Sequence, residues 1–507
     1  MNGKREYGDY QTPEYFSLAV CDYLKNKKKI EPTIIIEPTC GIGSFIKSSL
    51  IFNASRIVGI EINPKYCEIC KNNNPDPKVH IRNADFFTFD FKTIIKDNDQ
   101  FLIVGNPPWV NNSTLSSLNS DNVPAKINFK GYKGMDAMTG SSNFDICEYI
   151  ILQLIASFHG TNTTIAMLCK TSVARNIFVE MKRTYTTFSS CAILEFDAKK
   201  VFGIHASACL FVLDLSANDV SNDICNVYSF DEPNKIKSSF GYINGRFYSN
   251  ISKNEVDFSG KCCFEWRQGV KHDCAKVMEL SFDGKSLLNG HKEHVAIENR
   301  YVFPLIKSSM FKKPILSDSK KYVIVTQKKI REDTSHIAID APKTWNYLNS
   351  KKEYFSNRKS SIYKNAPDFS MFGIGNYSYE KYKVGVSGFY KKPLFSVLAS
   401  FDGTPIMTDD TSYFICFPTY DTAYVAMLIL NSTRVQQFLS TIAFMDAKRP
   451  YTKKVLDRID FNKILQSIQM TDLVNTEKAL ELEAYITENM LHEFRSLPEL
   501  SQDTRIS

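Results

Sequence analysis

The feature that most constrains the fold is a series of four short apolar segments in the N-terminal part of the chain, each followed by polar residues or glycine. Such runs are typical of strands that are buried in a sheet. The four predicted strands are residues 34–36, 57–60, 79–82 and 101–104. In open α/β sheets, ligands bind at the carboxyl ends of the strands. The residues that follow these strands are therefore the first candidates for a functional site.

The residues after the first three strands suit a ligand that contains a nucleoside. Segment 37–45, EPTCGIGSF, has glycines that let the backbone approach a ligand closely. Glu61 ends the second strand near the offset at which α/β folds bind a ribose. Asp85 and Phe86 follow the third strand, where a carboxylate could bind an adenine amine and a ring could pack against it. Ile46 stands where a dinucleotide fingerprint has its third glycine, which weakens an NAD interpretation.

The fourth strand is followed by Asn106-Pro107-Pro108-Trp109. An Asn side-chain oxygen and a nearby backbone carbonyl can both accept hydrogen bonds from an amino group on a flat ring, which makes its nitrogen a better nucleophile. The two prolines have a fixed φ and no N–H, so they suit a loop whose carbonyls face a ligand. Trp109 offers a face on which a base can stack. An ordinary strand-to-loop turn is the alternative interpretation of these four residues alone.

Taken in order, these motifs resemble the gamma-class amino-group DNA methyltransferases, the adenine-N6 enzymes of bacterial restriction–modification systems. The resemblance covers about residues 1–215 and rests on the order and spacing of Asp9-x-x-Thr12-Pro13, segment 37–45, Glu61, Asp85-Phe86 and Asn106-Pro107-Pro108-Trp109. It implies a Rossmann-like α/β catalytic domain that uses S-adenosylmethionine. The departure from the family is Trp109, where Tyr or Phe is usual.

The resemblance also implies roles for individual residues. The residues expected to bind S-adenosylmethionine are Thr12, Glu37, Thr39, Gly41, Gly43, Glu61, Asp85 and Phe86. The residues expected to orient or hold the flipped target base are Asn106, Pro107, Trp109 and Phe202. For Phe202 a place in the hydrophobic core is the alternative. The Ser-, Asn- and Gly-rich segment 113–142 is predicted to be a long loop beside the site.

The basic charge is concentrated in the C-terminal half. Residues 307–392 contain 18 Lys and Arg against 7 Asp and Glu, an excess of +11 in a chain whose net charge is +7. This asymmetry is typical of a nucleic-acid-binding surface, although a solvated lysine-rich face is the alternative. The candidate phosphate contacts are Lys351, Lys352, Arg358 and Lys359. Further along, the apolar pattern of residues 477–495 predicts one packed amphipathic helix.

Composition narrows the class of protein. The chain has no run of about 18 apolar residues, so no membrane span is predicted. Its 13 cysteines are irregularly spaced, which favours reduced thiols and a cytoplasmic location. The group Cys262, Cys263, His272 and Cys274 matches no usual zinc spacing, and no metal site is predicted.

The sequence therefore predicts an adenine-N6 DNA methyltransferase that acts on double-stranded DNA. Its expected domains are a catalytic α/β domain, residues 1–220, and an α+β target recognition domain, residues 221–507. Three alternatives stay open at this point: cytosine-N4 methylation, methylation of a protein glutamine, and a non-catalytic DNA-specificity subunit. The presence of a companion restriction endonuclease is also left open.

Overall fold

The computed structural model describes residues 11–96, 99–110, 145–215, 222–253, 256–400 and 402–501. Asp9 and the predicted loop 113–142 lie outside the described residues. The chain divides into two compact units, Met1–Ser252 and Lys253–Ser507. The sequence predicted a boundary at residue 220. The first unit continues to Ser252 because the strands that follow residue 220 extend its sheet.

In the described part of the N-terminal unit, ten strands form one sheet. They are β1 (Ile34–Glu37), β2 (Arg56–Glu61), β3 (Val79–Asn83), β4 (Gln100–Gly105), β5 (Asn162–Lys170), β6 (Ser190–Asp197), β7 (Ser207–Leu215), β8 (Ile224–Ser229), β9 (Glu232–Ile243) and β10 (Arg246–Tyr248). Their order is β10-β9-β8-β6-β7-β5-β4-β1-β2-β3. The first four strands confirm the predicted strands 34–36, 57–60, 79–82 and 101–104.

The described helices of this unit lie before β1 and between strands of the sheet. They are α1 (Glu14–Asp22), α2 (Ser44–Ser49), α3 (Pro64–Asn73), α4 (Ile146–Phe158), α5 (Thr171–Arg183) and α6 (Ala198–Phe202), with a π-helical turn at Tyr23–Lys27 and a 3₁₀ turn at Phe91–Thr93. Helix α3 begins with Pro64 after Asn63, whose side chain accepts a hydrogen bond from the Lys65 N–H. This is a typical helix start, since proline suits the first turn and asparagine caps the free N–H groups.

The pairing of the strands brings their carboxyl ends to one edge of the sheet. In the run β3-β2-β1-β4-β5 each strand is parallel to the next one. Strand β7 is antiparallel to both β5 and β6, so β6 runs in the same direction as β5. The residues at or just after the ends of β1, β2, β3, β4, β5 and β6 therefore share one edge, which is called the carboxyl edge below.

The core of the sheet is formed by strands that are apolar along their whole length. Residues 101–104 of β4 are at most 2% exposed, as expected for a parallel strand covered on both faces. Phe158 at the end of α4 is fully buried, and its ring centroid lies 5.3 Å from that of Phe101 and 5.6 Å from that of Phe91. These edge-to-face contacts fix α4 against β4.

Within the described part of the C-terminal unit the strands form two mixed sheets. They are β11 (Arg267–Gln268), β12 (Glu279–Phe282), β13 (Leu287–Leu288), β14 (His294–Val295), β15 (Val302–Ile306), β16 (Ile315–Leu316), β17 (Lys321–Ile324), β18 (Tyr382–Ser387), β19 (Ser396–Leu398), β20 (Met407–Thr408) and β21 (Ser412–Phe417). One sheet has the order β11-β21-β18-β19-β16 and the other the order β14-β13-β12-β17-β15-β20. The unit is α+β, in agreement with the predicted fold class.

The helices of this unit are mostly short. They are α7 (Ala275–Met278), α8 (Ile337–Asp340), α9 (Pro342–Ser350), α10 (Lys352–Ser356), α11 (Tyr420–Asn431), α12 (Thr433–Ile442), α13 (Lys453–Leu456), α14 (Phe461–Ser467), α15 (Met470–Ala479), α16 (Glu488–Arg495) and α17 (Pro498–Ser501). The 3₁₀ turns after the unit boundary are Asn299–Tyr301, Ser308–Met310, Ser361–Tyr363 and Asn376–Tyr379. None of the helices in the described ranges is long and apolar enough to cross a membrane.

The prediction of one helix over residues 477–495 was wrong. The structure has α15 and α16, separated by residues 480–487. The buried carboxylate of Glu477 accepts hydrogen bonds from the N–H groups of Tyr485 and Ile486 and from the Tyr424 hydroxyl. Glu481 adopts a positive φ of 55°. These tertiary bonds outweigh the local apolar pattern and turn the chain between the two helices.

We predict that Phe158→Ala destabilises the N-terminal unit by about 3–5 kcal/mol, since it leaves a cavity between α4 and β4. Urea unfolding measures the loss, and hydrogen exchange in β4 assigns it to this unit. Ile69→Ala is the matched control, because Ile69 is 42% exposed on α3. The control should cost less than about 1 kcal/mol. Equal effects of the two substitutions would contradict this description of the core.

Candidate active site

The glycine-containing loop after β1 is tied to the end of β2 by Glu61. The Gly41 N–H donates to Glu61 Oε2 at 2.8 Å, and the Asn63 N–H donates to Oε1 at 2.7 Å. The Cys40 N–H bonds the Ile60 carbonyl at 2.8 Å. Glu61 is 9% exposed, so its carboxylate is a largely desolvated anion at the carboxyl edge. Any ligand held by this loop would therefore lie beside it.

The local structure itself requires glycine at both positions of the loop, apart from any need for a ligand to come close to the backbone. Gly41 and Gly43 have φ values of +52° and +93°, which side chains rarely adopt. A Cβ on Gly43 would lie 2.5 Å from the Cys70 sulfur of α3, and a Cβ on Gly41 would lie 2.9 Å from Gln11 Oε1. The loop is thus packed against α3 on one side and the segment before α1 on the other. The sequence pattern indicated the glycines but not these two contacts.

Thr39 and Glu37, predicted together, have different surroundings. The Thr39 hydroxyl is buried and has no hydrogen-bond partner among the described residues. Glu37 is 4% exposed, and its Oε2 accepts a hydrogen bond from the Ile46 N–H at 3.1 Å. Burial raises the pKa of the Glu37 carboxyl well above its usual value. Glu37 thus fixes the first turn of α2 through the Ile46 N–H, whereas the Thr39 hydroxyl has no hydrogen-bond partner in the described structure.

Of the other predicted residues, Asp85 and Phe86 follow β3, and Thr12 precedes α1. Asp85 is half-buried, and its Oδ1 accepts the Phe87 N–H at 2.9 Å. Phe86 is 5% exposed and packs with its ring centroid 5.6 Å from that of Phe91. Thr12 is buried two residues before Glu14, the first residue of α1.

Trp109 and Phe202 lie together, as the sequence interpretation requires. Their ring centroids are 5.5 Å apart with an interplanar angle of 73°. Trp109 is 8% exposed, and its indole Nε1 donates to the Leu168 carbonyl of β5 at 3.3 Å. Asn106 and Pro107 precede it at the end of β4, half-buried and buried respectively. The aromatic pair therefore stands next to the amide at the carboxyl edge.

The position of Phe202 is set by a short capped helix. The Asp197 carboxylate at the end of β6 accepts hydrogen bonds from the N–H groups of Lys199 and Lys200 and so caps α6. Gly203, with φ +71°, ends the helix directly after Phe202. Phe202 is half-buried, and besides Trp109 its ring packs against those of Phe16 and Phe196.

An ion pair that the sequence interpretation missed supports the same loop. Lys170 at the end of β5 places its Nζ 2.6 Å from Asp145 Oδ2 and 3.5 Å from the Trp109 carbonyl oxygen. Asp145 Oδ1 accepts the Cys147 N–H and caps α4. Burial raises the pKa of Asp145, and the adjacent Lys170 acts in the opposite direction. A lysine directly after the apolar run of residues 165–169 was the available signal.

The four predicted DNA contacts lie in the C-terminal unit, and three of them are engaged there. Lys351 pairs with Glu293 and Lys352 with Asp368, both at 2.7 Å. Arg358 donates to the backbone carbonyls of Phe355, His272 and Ser370. Lys359 is exposed and is in no ion pair among the described residues. Among those residues, no group of three or more His, Cys, Asp and Glu side chains is arranged to hold a metal ion.

No protein-family model matches the chain. Type II methyltransferase M.NspV of a Nostoc species is 38% identical over 476 residues, which are 92% of this chain and 98% of that protein. Type II methyltransferase M.CvrRI of Paramecium bursaria Chlorella virus XZ-6E is 30% identical over 149 residues, 29% of this chain and 33% of that protein. The type IIL restriction–modification enzyme MmeI, solved in complex with DNA, has a TM-score of 0.51 and 11% identity over 98% of this chain and 78% of its own. The likeness to MmeI shows a shared fold.

We predict that Lys170 and Asp145 are energetically coupled, because the Asp145 side chain is only 6% exposed and loses its paired cation when Lys170 is removed. The variants are Lys170→Met, Asp145→Asn and the double substitution. A double-mutant cycle on the opening free energy of α4, measured by hydrogen exchange, should give a coupling of about 1–3 kcal/mol. The control cycle uses Lys47 and Glu14, whose side chains are 52% and 62% exposed. It should give less than about 1 kcal/mol, and similar values for the two pairs would contradict the prediction.

Proposed function

Because the chain belongs to the type II DNA methyltransferases of restriction–modification systems, we propose that it transfers a methyl group from S-adenosylmethionine to the N6 amine of an adenine flipped out of duplex DNA. The observation that carries the proposal is the position of Asn106 and Trp109 at the end of β4, with Phe202 beside the indole. An amide acceptor next to aromatic surface is suited to a planar ring that bears an amine.

The residues around the β1 loop fit S-adenosylmethionine. The buried Thr39 hydroxyl, which has no hydrogen-bond partner within the described parts of the chain, lies in a loop with two glycines of positive φ and next to the buried Glu61 carboxylate. We propose that Thr12, Glu37, Thr39, Gly41 and Gly43 form the side that takes the methionine end. Glu61 would bind the ribose hydroxyls, and Asp85 with Phe86 would bind the adenine. When bound, the cofactor supplies a methyl group on a positively charged sulfur.

The residues after β4 would act on the target base. Flipping a base out of the duplex costs a few kcal/mol, and stacking on an aromatic ring can recover part of that energy. Trp109 and Phe202 provide the aromatic surface. Asn106 Oδ1 and the Pro107 carbonyl would accept the two N–H bonds of the amine and stabilise the positive charge that develops on nitrogen. An amide is not a base, so the amine proton passes to another acceptor.

Three alternative functions have less support than adenine methylation. Cytosine-N4 enzymes that resemble this family commonly have Ser where Asn106 stands. A protein-glutamine methyltransferase does not need a C-terminal half in which residues 307–392 carry an excess positive charge of +11. A non-catalytic specificity subunit would not need the cofactor loop, and the relative that spans 92% of the chain is named a methyltransferase. We propose that the C-terminal unit selects the DNA sequence.

The sharpest test of the chemistry is Asn106→Ala. It removes one acceptor for the amine, so single-turnover transfer of labelled methyl to duplex DNA should fall by at least about 100-fold. Folding and S-adenosylmethionine affinity should stay nearly unchanged. Nucleoside analysis of the wild-type product identifies the methylated base. Full activity of Asn106→Ala, or a methyl group on cytosine instead of adenine, would overturn the proposal.

The cofactor assignment predicts that Glu61→Ala weakens S-adenosylmethionine binding at least tenfold, because hydrogen bonds to a charged group contribute about 1.5–3 kcal/mol. Isothermal calorimetry measures the affinity, and an electrophoretic shift checks that DNA binding persists. Glu68→Ala is the control, since Glu68 is an exposed carboxylate on α3. An unchanged cofactor affinity in Glu61→Ala would refute the assignment.

A further inference from the structure

The C-terminal unit contains a cavity of about 360 Å³ between α10 and the chain that follows it. Four cationic side chains line this cavity, and one carboxylate opposes them, which gives the lining a net charge of +3. The charged residues are Lys352, Arg358, Lys359, Lys364 and Asp368. We name this cavity the basic cavity. The cavity wall also contains aromatic rings, those of Phe355, Tyr363 and Phe369.

Arg358 is a fixed cation in the wall. Its Nε and Nη1 groups donate to three backbone carbonyls, and its guanidinium carbon lies 3.7 Å from the centroid of the Tyr363 ring. None of these partners carries a negative charge. Burial lowers the pKa of Arg358, so the charged form is less favourable in the free protein and an anion in the cavity would stabilise it. The side chain is therefore positioned before any ligand arrives.

Lys359 and Lys364 supply the charge that is left unbalanced. Lys352 is neutralised by Asp368 at 2.7 Å. Lys359 and Lys364 are exposed and are in no ion pair among the described residues, although they line the same cavity. Two exposed lysines that line the same cavity as a fixed guanidinium suit phosphate, since lysine binds phosphate as a point charge and arginine as a rigid donor.

We propose that the basic cavity binds one backbone phosphate of the DNA duplex, with Lys359 and Lys364 as its direct contacts and Arg358 as a fixed source of positive potential. The inference rests on the proposed function, because it takes the phosphate to belong to DNA. It also changes the surface expected from the sequence. Lys364 joins the direct contacts, and Lys351 and Lys352, which pair with Glu293 and Asp368, leave them.

The first experiment measures how the affinity of the full-length protein for a 30-base-pair duplex depends on salt. Lys359→Ala/Lys364→Ala should reduce the slope of log affinity against log salt by about 1, and the affinity itself by about tenfold at 0.1 M salt. The matched control is Lys285→Ala/Lys478→Ala, which removes two exposed lysines of the same unit that do not line the cavity. Its slope should equal that of the wild type. Unchanged melting temperature and cofactor affinity show that both variants are folded.

The second experiment identifies the phosphate. Single phosphates of the duplex are replaced by neutral methylphosphonates, and binding to the wild type and to Lys359→Ala/Lys364→Ala is compared. At one position the replacement should weaken wild-type binding and have no further effect on the variant. The proposal is overturned if every replacement affects the two proteins equally, or if the cavity variant and the control variant have the same salt slope.

A free phosphate compound is the other source of the same chemistry. Calorimetry with inorganic phosphate and with AMP tests it: binding that is lost in Lys359→Ala/Lys364→Ala, with an unchanged DNA slope, would overturn the assignment to DNA. Failure of the proposed function gives a different result. A wild-type protein that binds duplex DNA with the expected slope but transfers no methyl group refutes the function and leaves the cavity assignment intact.

Discussion

The parallel alignment of the five strands β1, β2, β3, β4 and β5 is the constraint on which the rest of the N-terminal unit depends. Parallel strands need a crossover between them, and each crossover returns the chain to the same starting edge. The opposite edge therefore collects the residues that follow β1, β2, β3, β4 and β5. The bonds from Gly41 and Asn63 to the Glu61 carboxylate then join two of these strand ends directly. Residues as far apart in the sequence as Glu37 and Lys170 come to one edge of the sheet because of this pairing.

The tryptophan in the Asn-Pro-Pro-aromatic motif has a physical explanation in this fold. Its indole N–H donates to the Leu168 carbonyl, a bond that a phenylalanine could not make. The ring is thereby fixed against β5. The Lys170 ammonium, at the end of that strand, donates to the backbone carbonyl of Trp109. Trp109 thus combines an anchor and an aromatic face. For a residue proposed to stack on a flipped base, such rigidity reduces the conformational entropy that is lost on binding.

Charge in the C-terminal unit is distributed differently from what a count of residues suggests. The +11 excess over residues 307–392 includes Lys307, Lys351 and Lys352, which pair with carboxylates, and Arg358, which is held by backbone carbonyls. These cations stabilise the fold and are partly neutralised. The remaining potential comes from residues such as Lys359 and Lys364, whose charge is not balanced by an ion pair in the described structure. Net charge therefore indicates the unit that we propose to meet DNA, and the proposed contacts depend on local pairing.

The sequence by itself determined the order of strands and helices at the carboxyl edge and the residues that follow β1 to β4, because apolar runs, glycines and prolines act on their immediate neighbours. It failed for residues 477–495, where the buried Glu477 carboxylate binds the N–H groups of Tyr485 and Ile486 and the hydroxyl of the distant Tyr424, and the chain turns. Only the tertiary structure decided that Lys170 pairs with Asp145, that Gly43 packs on Cys70, and that Phe202 lies beside Trp109. These contacts join residues 25, 27 and 93 positions apart. A local sequence pattern does not predict contacts between residues so far apart, because these contacts form only when the sheet and its helices pack.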